Sequence, residues 1–276
     1  MSVAQVKSDN PYTDLPSPSN SSFNVKRWNN GSYSQAQDTL AEEMPIALCY
    51  NGISHVVMMA SPCNLEELAL GFSLSEGILE HPQQLYNIDT TPRAEGIEIN
   101  LLIATRQQQL LQQRTRNLTG RTGCGLCGSD SLQTAIRPID KVAHAPLLSD
   151  AAIQRAISQL DTHQPLQGLT GAVHGAAWCS LDGDIQQLRE DVGRHNALDK
   201  LIGALINKEI DHATGFLLMS SRASYEIVHK AASVGIGNLV AVSAPTAMAI
   251  QLAEEAGIHV IGFARPGRHV RYGDKE

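Results

Sequence analysis

The stretch GRTGCGLCGSD sets Cys124 and Cys127 among Gly120, Gly123, Gly125 and Gly128, with Arg121 at its front edge. Thiols that close can hold a metal, cycle as a disulfide or carry a reactive sulfur. Structural zinc needs four ligands, and one Cys-x-x-Cys supplies half of them. No second pair exists, and other partners would be scattered residues such as His174 and Cys179. Zinc nucleoside deaminases use His-x-Glu followed by Pro-Cys-x-x-Cys. Here the pair precedes His174, no proline stands before it and HGAA lacks the glutamate, so no metal site is expected. A redox dithiol favours a helix N-terminus, and Ser129 or Asp130 can cap a short helix just after the pair. No thioredoxin-like βαβ pattern surrounds it, however. The glycines describe a loop that must bend and move, and Arg121 favours the thiolate of a nearby cysteine. A mobile, activated thiolate suits a sulfur carrier, which accepts a terminal sulfur as a persulfide and delivers it. Spacing alone ranks dithiol redox and sulfur carriage equally, with zinc third.

A second set of chemically able residues follows three apolar runs in the C-terminal half. GFLLMSS ends in Ser220, Ser221 and Arg222; NLVAVSAP ends in Ser243 to Thr246; HVIGFA leads into Phe263, Ala264, Arg265, Pro266, Gly267 and Arg268. In an open parallel sheet, ligands bind beyond the carboxyl ends of the strands. Hydroxyls and main-chain N–H groups at helix starts favour anions there. Arg265 and Arg268 add fork-shaped donors suited to phosphate, and Phe263 can stack on a base or pack in the core. The bland reading competes at each point: Ser243 and Thr246 taken alone are helix caps, and Arg222 can pair with a surface carboxylate. A Pro-Gly turn carrying two arginines at a strand end has no such structural need. Together the three ends point to a nucleotide or polyphosphate.

These residues require particular elements to place them. The C-terminal runs alternate with the helical stretches ASYEIVHKAASVG and AMAIQLAEEAG, which implies parallel pairing with right-handed crossovers. Ahead of them GAVHGAAWCSLDGDIQQL reads as a hairpin turning at Asp182-Gly183, and RHNALDKLIGALI as a helix. Residues 168–276 are therefore expected to form an α/β layered sheet. Residues 41–120 read as a smaller α+β subdomain. It holds a hairpin at Asn51-Gly52, because both residues tolerate positive φ. A helix in NLEELALGFSLSEGIL follows, with capping-box spacing at Asn64 and Glu67. A strand over 97–104 and a helix ending at Gly120 complete it. Residues 121–167 carry the Cys-x-x-Cys loop and connecting helices, one over 150–160. Residues 1–40 are rich in Ser, Asn, Pro and Gln and read as a disordered polar tail.

The 276 residues allow a substantial core in two subdomains. A net charge of -7 argues against a protein that coats nucleic acid. No apolar run has membrane-span length, and the N-terminus has no signal-peptide pattern. Of the five cysteines, Cys49, Cys63 and Cys179 lie far apart in apolar or mixed surroundings. This is the usage of a reducing compartment with buried thiols and one special pair, so the expected location is the cytoplasm.

GRTGCGLCG, EDVGRHNALDK, SSRASYE and GFARPGR, in that order, resemble the FdhD/NarQ family of sulfur carriers needed for formate dehydrogenase activity. EEMPIALCYNGISHVVMMASP and ALGFSLSEGI match as well, and the resemblance runs from about Glu42 to Tyr272. It implies a sulfurtransferase that accepts persulfide sulfur from a cysteine desulfurase and passes it to the molybdenum bis(molybdopterin guanine dinucleotide) cofactor before insertion into the formate dehydrogenase apoenzyme. The persulfide maps onto Cys124, with Cys127 assisting or resolving, and the cofactor contact maps onto Phe263 to Arg268. A cytidine-deaminase-like α/β domain and a homodimer are implied too, with neither nucleic acid nor membrane as partner. DVGRHNALDK is among the matching stretches, which inclines His195 towards a ligand-binding role. His174, beside small residues at a strand start, reads as packed and hydrogen-bonded.

Overall fold

The structure, a computed structural model, describes residues 19–118 and 139–273. The Cys-x-x-Cys loop, with Arg121, Cys124 and Cys127, lies outside the described residues, as do residues 1–18 and the expected cap at Ser129 or Asp130. Residues 20–41 depart from the expected polar tail. They pair as a long antiparallel ribbon, β1 (Asn20–Asn29) and β2 (Ser32–Ala41). The turn is Asn30-Gly31 at φ 45° and 92°, matching Asn51-Gly52 at 48° and 79°. Both dipeptides supply the two positive φ values of the turn that suits a twisted hairpin. Trp28 faces Tyr33 across the tip, a cross-strand aromatic pair that offsets the polar flanks.

The first half is built on β3 (Met44–Tyr50), β4 (Ile53–Ala60), β5 (Leu85–Arg93) and β6 (Gly96–Ile103), in the order β4-β3-β6-β5. The Asn51-Gly52 hairpin is present, whereas β5 is a strand that the sequence reading did not contain. Ile46, Leu48 and Tyr50 alternate onto one face with Ile97, Ile99, Leu101 and Ile103. That face packs against α1 (Leu65–Ser75) and α2 (Thr105–Leu118). The expected capping box of α1 does not form: Asn64 is left-handed and its side chain caps nothing. Glu67 is drawn instead to Arg189, accepting from Nε at 2.5 Å and from the second nitrogen at 2.7 Å. A bidentate, charge-assisted pair outweighs a local cap.

Six strands make the second half, in the order β12-β11-β10-β9-β7-β8. They are β7 (His174–Ser180), β8 (Ile185–Asp191), β9 (Gly215–Met219), β10 (Asn238–Ala241), β11 (His259–Arg265) and β12 (Arg268–Tyr272). As the rhythm of the sequence requires, β9, β10 and β11 are parallel, and β7 and β8 form the antiparallel hairpin beside them. Both faces are covered, which is why β9 reads as an unbroken apolar run. One face packs on α5 (Arg194–Asn207), α6 (Tyr225–Ser233) and α7 (Ala247–Ala256). Leu148, Ile153 and Ile157, at and within α3 (Asp150–Leu160), cover the other. The short α4 (Pro165–Thr170) is tied by Glu190, which accepts from the N–H groups of Leu166 and Gln167.

The halves meet where α1 crosses α5 at backbone contact. A Cβ on Gly71 would stand 1.8 Å from the Asp199 carbonyl oxygen, and one on Gly203 would stand 2.1 Å from that of Glu67. Around this crossing lie two buried charge networks. Lys200 and Asp191 are 0% exposed and 2.6 Å apart. Lys200 also donates to the Ser61 carbonyl at 2.9 Å. Asp191 accepts from the N–H groups of Ser61 and Gly193 and from Asn196 Nδ2. In the second network Lys230 Nζ reaches both Asp199 oxygens at 3.0 Å and Glu76 at 2.8 Å. Burial alone would lower the Lys230 ammonium, but Asp199 and Glu76 outweigh it and hold it above the usual lysine range.

Candidate ligand-binding shelf

The carboxyl ends of β9, β10 and β11 are stitched to one another by backbone. Ser243 N–H donates to the Ser221 carbonyl at 3.4 Å, and Phe263 N–H to the Ser243 carbonyl at 3.1 Å. Ala223 bridges Pro245 one step further out. The three ends singled out in the sequence therefore form a continuous shelf. β7 starts at the same edge, where Gly175 N–H donates to Ser220 Oγ at 2.8 Å and Ser220 N–H returns to the Gly175 carbonyl at 2.9 Å.

At one end of the shelf a bulge between Gly262 and Arg265 resets the alternation of β11. Phe263 sits there at φ 50°, a left-handed conformation that costs a residue with a Cβ about 1–2 kcal/mol. Strain of this kind gathers at ligand clamps. Its effect is to turn the Phe263 ring outward, 39% exposed, while Ala264 is 0% exposed in the core. Ala264 has no surface of its own to offer a ligand and anchors the turn in the core. Arg265, Pro266, Gly267 and Arg268 are all exposed. Gln154 of α3 steadies the turn by accepting from Gly267 N–H at 2.8 Å. The neighbouring basic side chains are spoken for: His269 and Arg271 both bind Asp150, at 3.0 and 2.7 Å. Arg265 and Arg268 take no ion pair among the described residues. A hollow of about 290 Å³ opens beside them, lined by Phe263, Arg268, His269 and Val270.

The middle of the shelf is less available. Ser221 is buried, and its hydroxyl donates to the Arg222 carbonyl at 3.3 Å. Arg222 itself is exposed. Thr246 is the helix cap of the bland reading, accepting from Ala249 N–H. His195 lies at the other end, past β9, at the start of α5. Its Nε2 is 2.5 Å from Glu226 Oε2 at the start of α6, and Arg194 stands 3.7 Å from the same oxygen. His195 against it holds the Glu226 carboxyl below the usual carboxylate range. His174 is close enough that burial first, then Arg194 and His195, lower its imidazole below the usual histidine range. Glu226 went unmarked in the sequence because ASYEIV reads as one more amphipathic helix start. Only the crossing of α5 and α6 gives it partners.

Among the described residues, no three His, Cys, Asp or Glu side chains converge on a metal-sized point. Cys49, Cys63 and Cys179 are buried free thiols, as expected, and burial raises all three.

A profile of the FdhD/NarQ family matches residues 41–276. The chain belongs to the FdhD/NarQ family. It is 51% identical over 264 residues to the sulfur carrier protein FdhD of Cupriavidus necator, covering 94% of this chain and 90% of that one. The sulfur carrier protein FdhD of Xanthomonas euvesicatoria is 50% identical over 242 residues, covering 87% and 86%. A crystal structure of a candidate formate dehydrogenase accessory protein from Desulfotalea psychrophila superposes with a TM-score of 0.70 at 21% identity, covering 92% of this chain and 96% of that one. The last likeness shows the shared fold. In this FdhD/NarQ chain the matching stretch DVGRHNALDK splits between two tasks. Asp191, Asn196, Asp199 and Lys200 enter the buried seam, while Arg194 and His195 face the shelf.

Proposed function

We propose that this chain is a sulfur carrier in formate dehydrogenase maturation. It takes sulfur from a cysteine desulfurase on Cys124 and hands it to the molybdenum bis(molybdopterin guanine dinucleotide) cofactor, its substrate. The name shared by the relatives supports the carrier role. The single structural observation that carries the cofactor reading is the pair Arg265 and Arg268, left free of carboxylates beside the turned-out Phe263. Loading is thiolate attack on a persulfide. The Cys124 thiolate attacks the outer sulfur of the desulfurase persulfide, the S–S bond breaks, and the desulfurase leaves as a thiolate. The charge of Arg121 favours the attacking thiolate, and Cys127 assists. Phe263, Arg265, Pro266, Gly267 and Arg268 hold the phosphate-bearing end of the cofactor, with Ala264 anchoring the turn from the core and Arg222 and the buried Ser221 at mid-shelf. We read the second half as cytidine-deaminase-like, which its six-strand order, with parallel β9, β10 and β11 flanked by antiparallel β7 and β12, supports. Among the described residues no helix is long and apolar enough to cross a membrane. The working form in this reading is a cytoplasmic homodimer.

Peptide mass spectrometry after incubation with a desulfurase and free cysteine tests the carrier role. One added sulfur on the Cys124 peptide, absent from Cys124→Ala, is the expected result. No gain under conditions that load a known acceptor would leave cofactor binding without transfer, or, if both thiols cycle, a dithiol oxidoreductase.

A further inference from the structure

The chain contains two Asn-Gly dipeptides, Asn30-Gly31 and Asn51-Gly52, and each makes a hairpin turn with both residues at positive φ. Their surroundings differ. Asn51 is clamped by β6 and α2. Its N–H donates to the Leu101 carbonyl at 2.9 Å, and its amide oxygen accepts from Ile103 N–H at 2.7 Å. Its amide nitrogen donates to the Ile103 carbonyl at 3.1 Å and to Gln108 Oε1 at 2.9 Å. No third strand stands beside the ribbon, which is a sheet of two. Asn30 and Gly31 are both exposed, and the Asn30 amide makes no hydrogen bond among the described residues. Gly31 lies between Asn29 and Ser32, the last paired residues, so its N–H is outside the ladder. Even a Cβ on Gly31 would meet nothing within 4 Å. A two-stranded ribbon is marginally stable in water, and such segments open locally more often than a packed sheet.

We propose that Asn30-Gly31 is a site of spontaneous, irreversible conversion of side-chain amide to acid, and that the clamp spares Asn51-Gly52. When the tip opens, the Gly31 main-chain N–H gives its proton to hydroxide and the nitrogen attacks the Asn30 side-chain carbonyl carbon. A C–N bond forms there as the amide nitrogen leaves as ammonia, closing a cyclic imide. Glycine favours the attack because no side chain crowds the nitrogen's approach. Water then opens the ring at either carbonyl, giving aspartate or isoaspartate at position 30. Water is consumed and ammonia released, and nothing is oxidised or reduced. Asp-Gly suits the same turn as Asn-Gly, so the aspartate product keeps the ribbon. In the isoaspartate product the main chain runs through the extra methylene, which breaks the two-residue register of the turn. Conversion therefore loosens, one way, the arm that carries Trp28 and Tyr33 at its tip.

Peptide mass spectrometry of the full chain, incubated folded in mildly alkaline buffer beside a sample in concentrated urea, reads both sites at once. In urea the two dipeptides are expected to convert at comparable rates, because structure no longer separates them. In the folded chain Asn30 is expected to convert at least about tenfold faster than Asn51, since several hydrogen bonds must break before Asn51 can react. Gln108→Ala removes one partner of the clamp. It is expected to speed Asn51 about threefold or more while leaving Asn30 unchanged. Hydrogen exchange on the purified isoaspartate form is expected to quicken in residues 20–41 alone. Equal rates at the two sites in the folded chain overturn the proposal, as does an Asn30 that stays intact while the urea sample converts. An Asn51 rate untouched by Gln108→Ala overturns the clamp, and a ribbon that keeps its protection in the isoaspartate form overturns the loosening.

Discussion

The seam between the halves and the arginine turn at the sheet edge both concentrate charge, and they use it in opposite ways. At the seam, Lys200 and Lys230 are buried and their nitrogens bond to carboxylates, hydroxyl, carbonyl and thiol. At the turn, Arg265 and Arg268 are exposed and no carboxylate among the described residues meets them. A buried cation without partners would shift its pKa or unfold the protein, so the seam must be complete. An exposed cation carries no such demand, and leaving it unpaired keeps its full field for an incoming anion. In the proposed reading, the contrast separates residues kept for the fold from residues kept for the ligand within one set of motifs.

The hardest way to break the contrast is at Asp191. Asp191→Ala strands the Lys200 ammonium in a dry site and frees three donors, which should cost about 3–5 kcal/mol. Urea denaturation is the measurement. A midpoint within error of wild type would mean that the seam is no more structural than the turn.

Next in size is the double change Arg265→Ala with Arg268→Ala. Stability should stay within about 0.5 kcal/mol of wild type, as for exposed side chains without special partners. Diphosphate affinity should fall at least about tenfold, since two charge-assisted donors are lost. The same denaturation curve with intact binding would move the phosphate end elsewhere on the shelf, towards Arg222.

How much of this was legible in the sequence depended on whether a signal was local. The alternating runs of the second half disclosed strand, helix and shelf together, because parallel pairing fixes where the carboxyl ends lie. Asn51-Gly52 was read as a turn because apolar runs flank it. The same dipeptide at Asn30-Gly31 carries a weaker signal, because FNVKRW and SYSQAQ are mixed or polar rather than apolar runs, although their pairing is regular over ten positions. Strand β5 hid behind Pro92 and a threonine pair. Asn64 and Glu67 had the right spacing for a cap, but Glu67 answers to Arg189, 122 residues away. The same holds for the site: Phe263 to Arg268 announce themselves in one turn, while Glu226 gains its meaning only from Arg194 and His195 on another helix.

The smallest effect sharpens the border between the two kinds of charge, at Asp150. This carboxylate is largely exposed, yet Arg271 first and then His269 hold it below the usual carboxylate range. A carboxyl with a lowered folded pKa adds stability above its unfolded value and loses it as the pH falls through the folded one. Melting temperatures of wild type and Asp150→Asn should therefore differ slightly near neutrality and converge in acid, below about pH 4. The difference should be small, because water screens a pair this exposed. Asp150 nonetheless occupies His269 and Arg271 on either side of Val270 and ties β12 to α3, which leaves Arg265 and Arg268 as the unclaimed pair at the turn. If Asp150→Asn also raises diphosphate affinity, the released Arg271 has joined the phosphate end. Unchanged affinity would show that the turn, held by Gln154, selects its two arginines without help.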